Sequence, residues 1–199
     1  MVLLMTSIGS AFRALQAASE TVARVSQAVR YVGPLREEPQ VVSKSTTRSR
    51  LSPVGIRGEL TAELLHTRTA PVDYSDWDGT GHKTSLKAAV SMWSARLGIG
   101  EQVTVEDQGK LGRGLRVNVN GVSRDLTTIG VGASQLLPVI TAVLDAPPQS
   151  MVLLEQPELH LHPSVQSRLA DFLLFARPDI AVVVETHSEY LITRLRRWV

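Results

Sequence analysis

Residues 151–163 read MVLLEQPELHLHP, and residues 180–188 read IAVVVETHS. Each segment begins with an uninterrupted apolar run that ends in a glutamate, Glu155 in the first and Glu185 in the second. Apolar runs without alternation are typical of parallel strands that are covered on both faces. Helical patterns precede, separate and follow the two strands, at 135–145, 163–176 and 188–198. This alternation of strand and helix predicts an α/β fold with a parallel sheet flanked by helices.

Polar residues follow both predicted strands at the point where each strand ends. Glu155 and Gln156 close the first strand, and Glu185, Thr186 and His187 close the second. Because ligands of parallel sheets bind beyond the carboxyl ends of the strands, we expect the functional site to lie there. An acid at the end of a buried strand is the pattern that holds Mg²⁺ beside a nucleotide.

A glycine-rich loop precedes the first helix of this region. Its sequence, GVGASQ at 130–135, leaves free backbone N–H groups at the start of the helix. Such a terminus favours an anion. A plain helix start with no ligand is the alternative interpretation of the loop.

In this order and spacing, the segments resemble the C-terminal half of ABC-class ATPases of the SMC, RecF and OLD type. They are more similar still to the bacterial AAA-type ATPases that carry a PELHLHP loop. The resemblance covers residues 126–195, and YVGPLREEP at 31–39 and VGIRGE at 54–59 are similar more weakly. It implies a partial P-loop NTPase fold of the ABC-ATPase head type, with ATP and Mg²⁺ as cofactors.

The resemblance also implies a role for each matching residue. Glu155 corresponds to the Walker B acid, which positions Mg²⁺, and His187 to the switch histidine that contacts the γ-phosphate. Glu158 to His162 corresponds to the D-loop of the dimer seam. The signature motif, which contacts nucleotide on the other subunit of a head-to-head dimer, corresponds to Gly130, Gly132, Ser134 and Gln135.

Gln156 stands where most of these ATPases have the glutamate that activates water. An amide can orient water but cannot accept its proton, so we expect hydrolysis by the usual route to be slow. Glu158 is the alternative base, provided that its loop turns the carboxylate inward.

The sequence contains no G-x-x-x-x-G-K-[ST] phosphate loop. Its nearest approach is GTGHKT at 79–84, where Trp77 and His82 replace the two required glycines. Compared with the heads that it resembles, the chain is therefore expected to lack the N-terminal lobe and the C-terminal edge. A truncated gene product, a split gene or a fragment would each lack them. We expect one domain over 1–199, with an arm region at 1–125 and the motifs at 126–199.

Composition excludes several other classes of protein. The chain has 199 residues, 43% of them hydrophobic and 20% charged, which is ordinary globular usage and not that of a disordered protein. It has no cysteine, which excludes a disulfide scaffold and cysteine-ligated zinc. No apolar run approaches the roughly 20 residues of a membrane-spanning helix, and no signal peptide is evident. We therefore expect a cytoplasmic protein without a membrane contact.

The sequence of the first half of the chain predicts both helices and strands. An apolar stripe over 8–29 predicts an amphipathic helix, and 67–81 reads as turns. Further helices are predicted at 59–66 and 86–97, the second ended by Gly98, and short strands at 103–105, 115–119 and 124–126, with a hairpin turn at Asn120-Gly121.

Three functions remain open at this stage. The first is an ATP-binding and ATP-hydrolysing domain for DNA repair or phage defence, paired with a second copy or a full-length homologue. The second is a non-catalytic module that docks on a full-length ATPase. The third is a metallohydrolase in which His160, His162 and His187 act with Glu155. A net charge of +2 is too small to imply nucleic acid by itself. The basic stretch at 41–58 is interpreted as a solvated loop or, alternatively, as a phosphate or nucleic-acid contact.

Overall fold

The computed structural model describes residues 15–23, 28–37 and 52–198. The strands are β1 (Val29–Val32), β2 (Pro71–Ser75), β3 (Gly81–Ser85), β4 (Gln102–Asp107), β5 (Arg113–Val119), β6 (Val122–Asp125), β7 (Met151–Glu155) and β8 (Ala181–Glu185). The helices are α1 (Thr61–Thr67), α2 (Leu86–Leu97), α3 (Val131–Asp145), α4 (Pro163–Phe175) and α5 (Glu189–Leu195). Residues 15–23 are also helical, and Gly109–Leu111 form one 3₁₀ turn. None of these helices is long and apolar enough to cross a bilayer.

A parallel sheet in the order β1–β7–β8 organises the second half of the chain. Met151 to Glu155 pair residue for residue with Ala181 to Glu185, so the two strands end side by side. β1 joins the other edge of β7, also in parallel, with Val32 opposite Leu154. The predicted α/β architecture, with a parallel sheet and flanking helices, is confirmed.

The two faces of this sheet differ in burial. On one face Val152 and Leu154 are fully buried under the helices. On the other face the alternate residues of the same strands stay open: Met151 is 39% exposed and Val183 is 50% exposed. The prediction that the strands are covered on both faces is therefore wrong for the described residues, because the described helices pack on one face alone.

Helix α3 is the centre of the hydrophobic core. Every side chain from Ala133 to Leu144 is buried, because the helix is surrounded by α1, α2, the sheet and the segment before α1. Pro138 lies inside the helix, and Gly58 packs directly against its ring. Gly58 has a φ of 80°, and a Cβ at this position would lie 2.4 Å from Cγ of Pro138, so no larger residue fits without movement.

The antiparallel parts of the structure test the remaining predictions. β4, β5 and β6 form the expected meander, and Asn120 and Gly121 turn between β5 and β6 with φ values of 53° and 76°. Gly98 ends α2 in the left-handed conformation, as predicted. The turn-rich interpretation of 67–81 is wrong, because β2 and β3 form a hairpin there. The GTGHKT segment runs from the tip of that hairpin into β3, which is not the conformation of a phosphate loop.

The predicted helix at 8–29 can be compared with the structure over part of its length. Residues 15–23 are helical and exposed, whereas 8–14 and 24–27 lie outside the described residues. The basic stretch at 41–58 is described from Ser52 onward.

Removing side-chain volume from α3 should destabilise the whole domain. We expect Leu136→Ala to lower the free energy of unfolding by about 2–5 kcal/mol, since the fully buried side chain leaves a cavity. Leu174→Ala on α4 is the matched control, because Leu174 is 37% exposed and should cost far less. Chemical denaturation followed by circular dichroism measures both, and equal losses would contradict the assignment of α3 as the core.

Candidate functional site

The carboxyl ends of β7 and β8 form one continuous polar edge, which we call the carboxyl rim and define as residues 155–158 and 185–188. Two hydrogen bonds join its halves. The backbone N–H of Gln156 donates to the carbonyl oxygen of Glu185 at 2.8 Å. The backbone N–H of His187 donates to Oε1 of Glu158 at 2.9 Å. The segments that carry the predicted acids and the predicted histidine therefore meet at one edge of the sheet.

Glu155 lies on the open face of the sheet, beside Glu185. The two residues are paired neighbours in the parallel ladder, so their side chains leave the sheet on the same face. Tyr31 on β1 shares that face, and its hydroxyl donates to Oε1 of Glu155 at 2.8 Å. This hydrogen bond is the largest cause of the raised pKa of Tyr31, and burial and the charges of Glu155 and Glu185 add to it. The phenol therefore acts as a donor that holds the Glu155 carboxylate in place.

Glu158 is turned inward and only 7% exposed. Its Oε1 accepts from the His187 backbone, and its Oε2 is buried without a hydrogen-bond partner. A carboxylate in this position connects the loop after β7 to the segment after β8. In this arrangement it holds backbone and does not face an open cleft where water would be activated.

Arg36 contacts the carboxyl rim, and the sequence patterns did not identify it as part of the site. It is 4% exposed, and its Nη2 donates to the carbonyl oxygens of Glu155 at 3.2 Å and Gln156 at 3.0 Å. Burial lowers the pKa of its guanidinium to about 10, and the charge of Glu158 opposes that shift. Its position within YVGPLREEP was a signal of importance, but only the fold shows that this segment crosses the end of β7.

Gln156 has an unusual backbone conformation for a residue other than glycine. Its φ is 43°, in the left-handed region. Its N–H and carbonyl groups are both engaged, by Glu185 and Arg36 respectively. The turn at the end of β7 is thus fixed through the backbone, and the amide side chain remains partly exposed.

The predicted signature segment reaches the other side of the 156–162 loop. Gly130 is exposed with a φ of 94°, and Gly132 packs so closely on the loop that a Cβ would lie 2.8 Å from the carbonyl oxygen of His160. Ser134 and Gln135 are buried, and their side chains donate to the carbonyl oxygens of Val131 and Glu37. Gly130 therefore lies at the surface and Gly132 lies against the loop, whereas the serine and glutamine side chains are used inside the protein.

The histidines of the PELHLHP loop make different contacts, although both border one cavity. His162 caps α4, and its Nδ1 accepts from the backbone N–H of Ser164 at 3.3 Å. His160 is exposed, has a φ of 61°, and borders a cavity of about 370 Å³ together with Gly130 and Gly132. Among the described residues, no three histidine, aspartate or glutamate side chains converge as a metal site would require. The structure therefore gives no support to the metallohydrolase alternative.

His187 presents its side chain at the surface directly before α5. The next residue, Ser188, is buried and accepts from the backbone N–H of Leu191 at 3.0 Å as the cap of α5. Its own hydroxyl donates to Oε1 of Gln166 on α4 at 2.5 Å. These contacts hold the backbone directly after His187, so the imidazole projects from an anchored segment.

The rim offers more for the metal ion of a magnesium nucleotide than for its phosphate chain. Glu155 and Glu185 offer carboxylate oxygens, which are the ligands that Mg²⁺ prefers in proteins. For a phosphate chain the rim offers the exposed His187 imidazole. The backbone cradle of a P-loop is missing from the sequence, and its nearest imitation forms part of the β2–β3 hairpin. The rim thus offers two carboxylates that would suit a metal ion, whereas it lacks the backbone cradle for a phosphate chain.

A family model matches residues 35–193, which is most of the chain. The family is described as "AAA domain, putative AbiEii toxin, Type IV TA system". A search of the curated proteins finds no match.

Solved structures of SMC head domains are similar to part of the chain. One is the Smc head domain with an extended coiled coil from Pyrococcus furiosus, bound to the C-terminal domain of ScpA: 13% identity, TM-score 0.45, covering 55% of this chain and 29% of that one. A second is from work on ATP-driven dimerization and DNA-stimulated activation of SMC ATPases, with 14% identity, a TM-score of 0.46, and coverage of 59% and 73%. A third, an Smc head bound to the C-winged helix domain of ScpA, has 13% identity, a TM-score of 0.45, and coverage of 55% and 36%.

The hydrogen bond between Tyr31 and Glu155 can be tested by titration. We expect Glu155→Gln to lower the pKa of Tyr31 towards its ordinary value, because the charged acceptor that favours the protonated phenol is removed. Since the folded-state pKa is raised, the stabilisation by this bond is present at neutral pH and is lost as the pH rises through that pKa.

Ultraviolet absorbance of tyrosinate measures the shift, with a Tyr31→Phe variant identifying the contribution of Tyr31 among the three tyrosines of the chain. Glu189→Gln on α5 is the control, because Glu189 has no part in the pKa of Tyr31. An unchanged Tyr31 titration in Glu155→Gln would contradict the contact.

Proposed function

The chain belongs to the AAA-domain family that its residues 35–193 match. On that premise we propose that its carboxyl rim binds ATP with Mg²⁺ and takes part in its hydrolysis. One observation carries the proposal. The hydrogen bonds from Gln156 to Glu185 and from His187 to Glu158 bring the acid-bearing and histidine-bearing segments together at one edge of the sheet. Parallel α/β sheets place their ligands at this edge.

Within this proposal each rim residue has a chemical task. Glu155 holds Mg²⁺, directly or through water, while Tyr31 keeps the carboxylate oriented. His187 contacts the terminal phosphate of the nucleotide. The bound metal would neutralise charge on the phosphate oxygens. Gly130 and Gly132, at the surface start of α3, face a nucleotide held by a second subunit, with Ser134 and Gln135 supporting that start from inside.

Turnover by this chain is proposed to be slow. Gln156 can hold a water molecule in place but cannot take its proton, and Glu158 is engaged with the backbone of His187. The sequence also has no phosphate loop, so nucleotide binding by the chain alone is proposed to be weak. Binding energy, shared between two heads that enclose the nucleotide, would then drive their closure more than rapid hydrolysis would.

The unpaired edge of β8 and the open face of the sheet favour a second candidate function. In this function the chain is a module that a P-loop-bearing partner completes. Among the described residues β8 pairs only with β7, so its other edge carries backbone groups without strand partners. A strand added parallel to β8 would end at the carboxyl rim and deliver its following loop to Glu155 and His187. The exposed Met151 and Val183 would be covered by the same partner.

The pathway is proposed from the family alone. Its description names an AbiEii toxin of a type IV toxin–antitoxin system, and on that ground we propose a role in phage defence. Service in DNA repair, with DNA as a further partner, is the related alternative that the same type of head would support.

Replacing the amide at the rim by an acid tests the proposed chemistry. We expect Gln156→Glu to raise the rate of Mg²⁺-dependent ATP hydrolysis by about 10²-fold, the low end of what a general base contributes. Phosphate release by the purified chain, measured against wild type, gives the rate.

Glu155→Ala should weaken Mg²⁺-ATP binding about tenfold in a calorimetric or fluorescent-nucleotide titration, whereas Glu189→Ala should leave it unchanged. Robust turnover by the wild-type chain that Glu155→Ala abolishes would contradict the proposal of slow hydrolysis. Equal ATP binding by wild type and Glu155→Ala would contradict the assignment of the rim.

The partner-completed module makes a separate prediction. A Walker-A-bearing AAA-type homologue mixed with this chain should associate with it in the presence of ATP, and Val183→Glu should abolish the association because it places a charge on the open sheet face. Leu174→Glu on α4 is the control at a comparably exposed site away from that face. Analytical ultracentrifugation measures the association, and binding that survives Val183→Glu would exclude this face as the interface.

A further inference from the structure

Behind the carboxyl rim, three buried polar atoms have no hydrogen-bond partner. Two are donors and one is an acceptor. Nε and Nη1 of Arg36 are buried and make no hydrogen bond, and neither does Oε2 of Glu158. Both side chains are more than nine-tenths buried. A buried charged group without a hydrogen-bond partner lowers the stability of the fold. Unsatisfied donors and an unsatisfied acceptor in the same place therefore call for a physical explanation.

Each of these side chains is held at one point by the backbone. Nη2 of Arg36 donates to the carbonyl oxygens of Glu155 and Gln156, and Oε1 of Glu158 accepts from the N–H of His187. The two charges attract each other, since Glu158 acts to raise the pKa of Arg36 against the effect of burial. Even so, Arg36 and Glu158 do not form a salt bridge among the described residues. Direct pairing of the two side chains would give partners to atoms that lack them in the arrangement described.

We propose that Arg36 and Glu158 form a two-state latch that positions the segment bearing His187. In the arrangement described, Glu158 holds the backbone N–H of His187. In the second arrangement the Glu158 carboxylate turns so that Oε1, the oxygen now held by His187, accepts from a free N–H of the Arg36 guanidinium, and the His187 N–H is released. Arg36 is then a positioning residue, because it acts on His187 through Glu158 and not on a substrate.

The latch connects two parts of the chain that are far apart in sequence. Arg36 contacts the end of β7, and Glu158 contacts the segment after β8, so a change at either end reaches the other through one charge pair. In the context of the proposed function, the latch would regulate when the His187 segment is free to approach a phosphate. That consequence depends on the proposed function, whereas the latch itself does not.

Hydrogen exchange of the His187 backbone amide in the full chain, without nucleotide, separates a latch from a merely structural arginine. In Arg36→Met the competing donor is gone, so Glu158 should stay on His187 and that amide should exchange about three- to tenfold more slowly than in wild type. A purely structural role predicts the opposite sign, because loss of a buried residue loosens its surroundings. Glu158→Ala, which removes the acceptor, should speed exchange of the same amide.

Arg177→Met is the matched control, since Arg177 is also a buried arginine but bonds Leu144 and Asp179 at the other end of the sheet. It should not slow exchange at His187. If Arg36→Met does not fold, Arg36→Gln, whose amide can still donate to the same carbonyls, should slow exchange in the same direction. Unchanged or faster exchange at His187 in the folded arginine variants would overturn the latch. Because no nucleotide is present, this outcome is independent of whether the chain binds ATP.

Discussion

The parallel register of β7 against β8 is the constraint on which the rest of the site depends. Because Glu155 lies opposite Glu185, the two strands end together and the loops that follow them begin at the same edge. A slip of one residue between these two strands would place the two carboxylates on opposite faces of the sheet. The bond from Gln156 to the Glu185 carbonyl continues the ladder one step beyond the strands and fixes the start of the loop.

Behind this edge the protein uses charged groups where apolar packing would be cheaper. Arg36 and Glu158 are both buried, and neither satisfies all of its hydrogen-bonding atoms. Such groups are poor sources of stability, since desolvation offsets their attraction. What they provide is position: the arginine holds two carbonyls at the end of β7, and the glutamate holds the backbone of His187.

Much of the second half of the fold could be predicted from apolar pattern, whereas parts of the first half could not. The apolar runs at 151–154 and 181–184 indicate parallel strands because they are short and alternate with helical patterns. The interpretation of 67–81 as turns misses β2 because PVDYS begins with a proline and has only two buried side chains, Val72 and Tyr74. Tyr31 and Arg36 were missed for another reason: their partners lie more than a hundred residues away in the sequence.

Local residue types alone determined that this chain forms strands that end in acids, a glycine-rich helix start and a loop between them, because periodicity and backbone preferences act over a few residues. Tertiary structure decided which side chains serve the site and which serve the frame. It turned Glu158 inward onto backbone, buried Ser134 and Gln135, and left Val183 on an open face. These outcomes depend on which surfaces meet across the sheet, and the order of residues along one strand does not encode that contact.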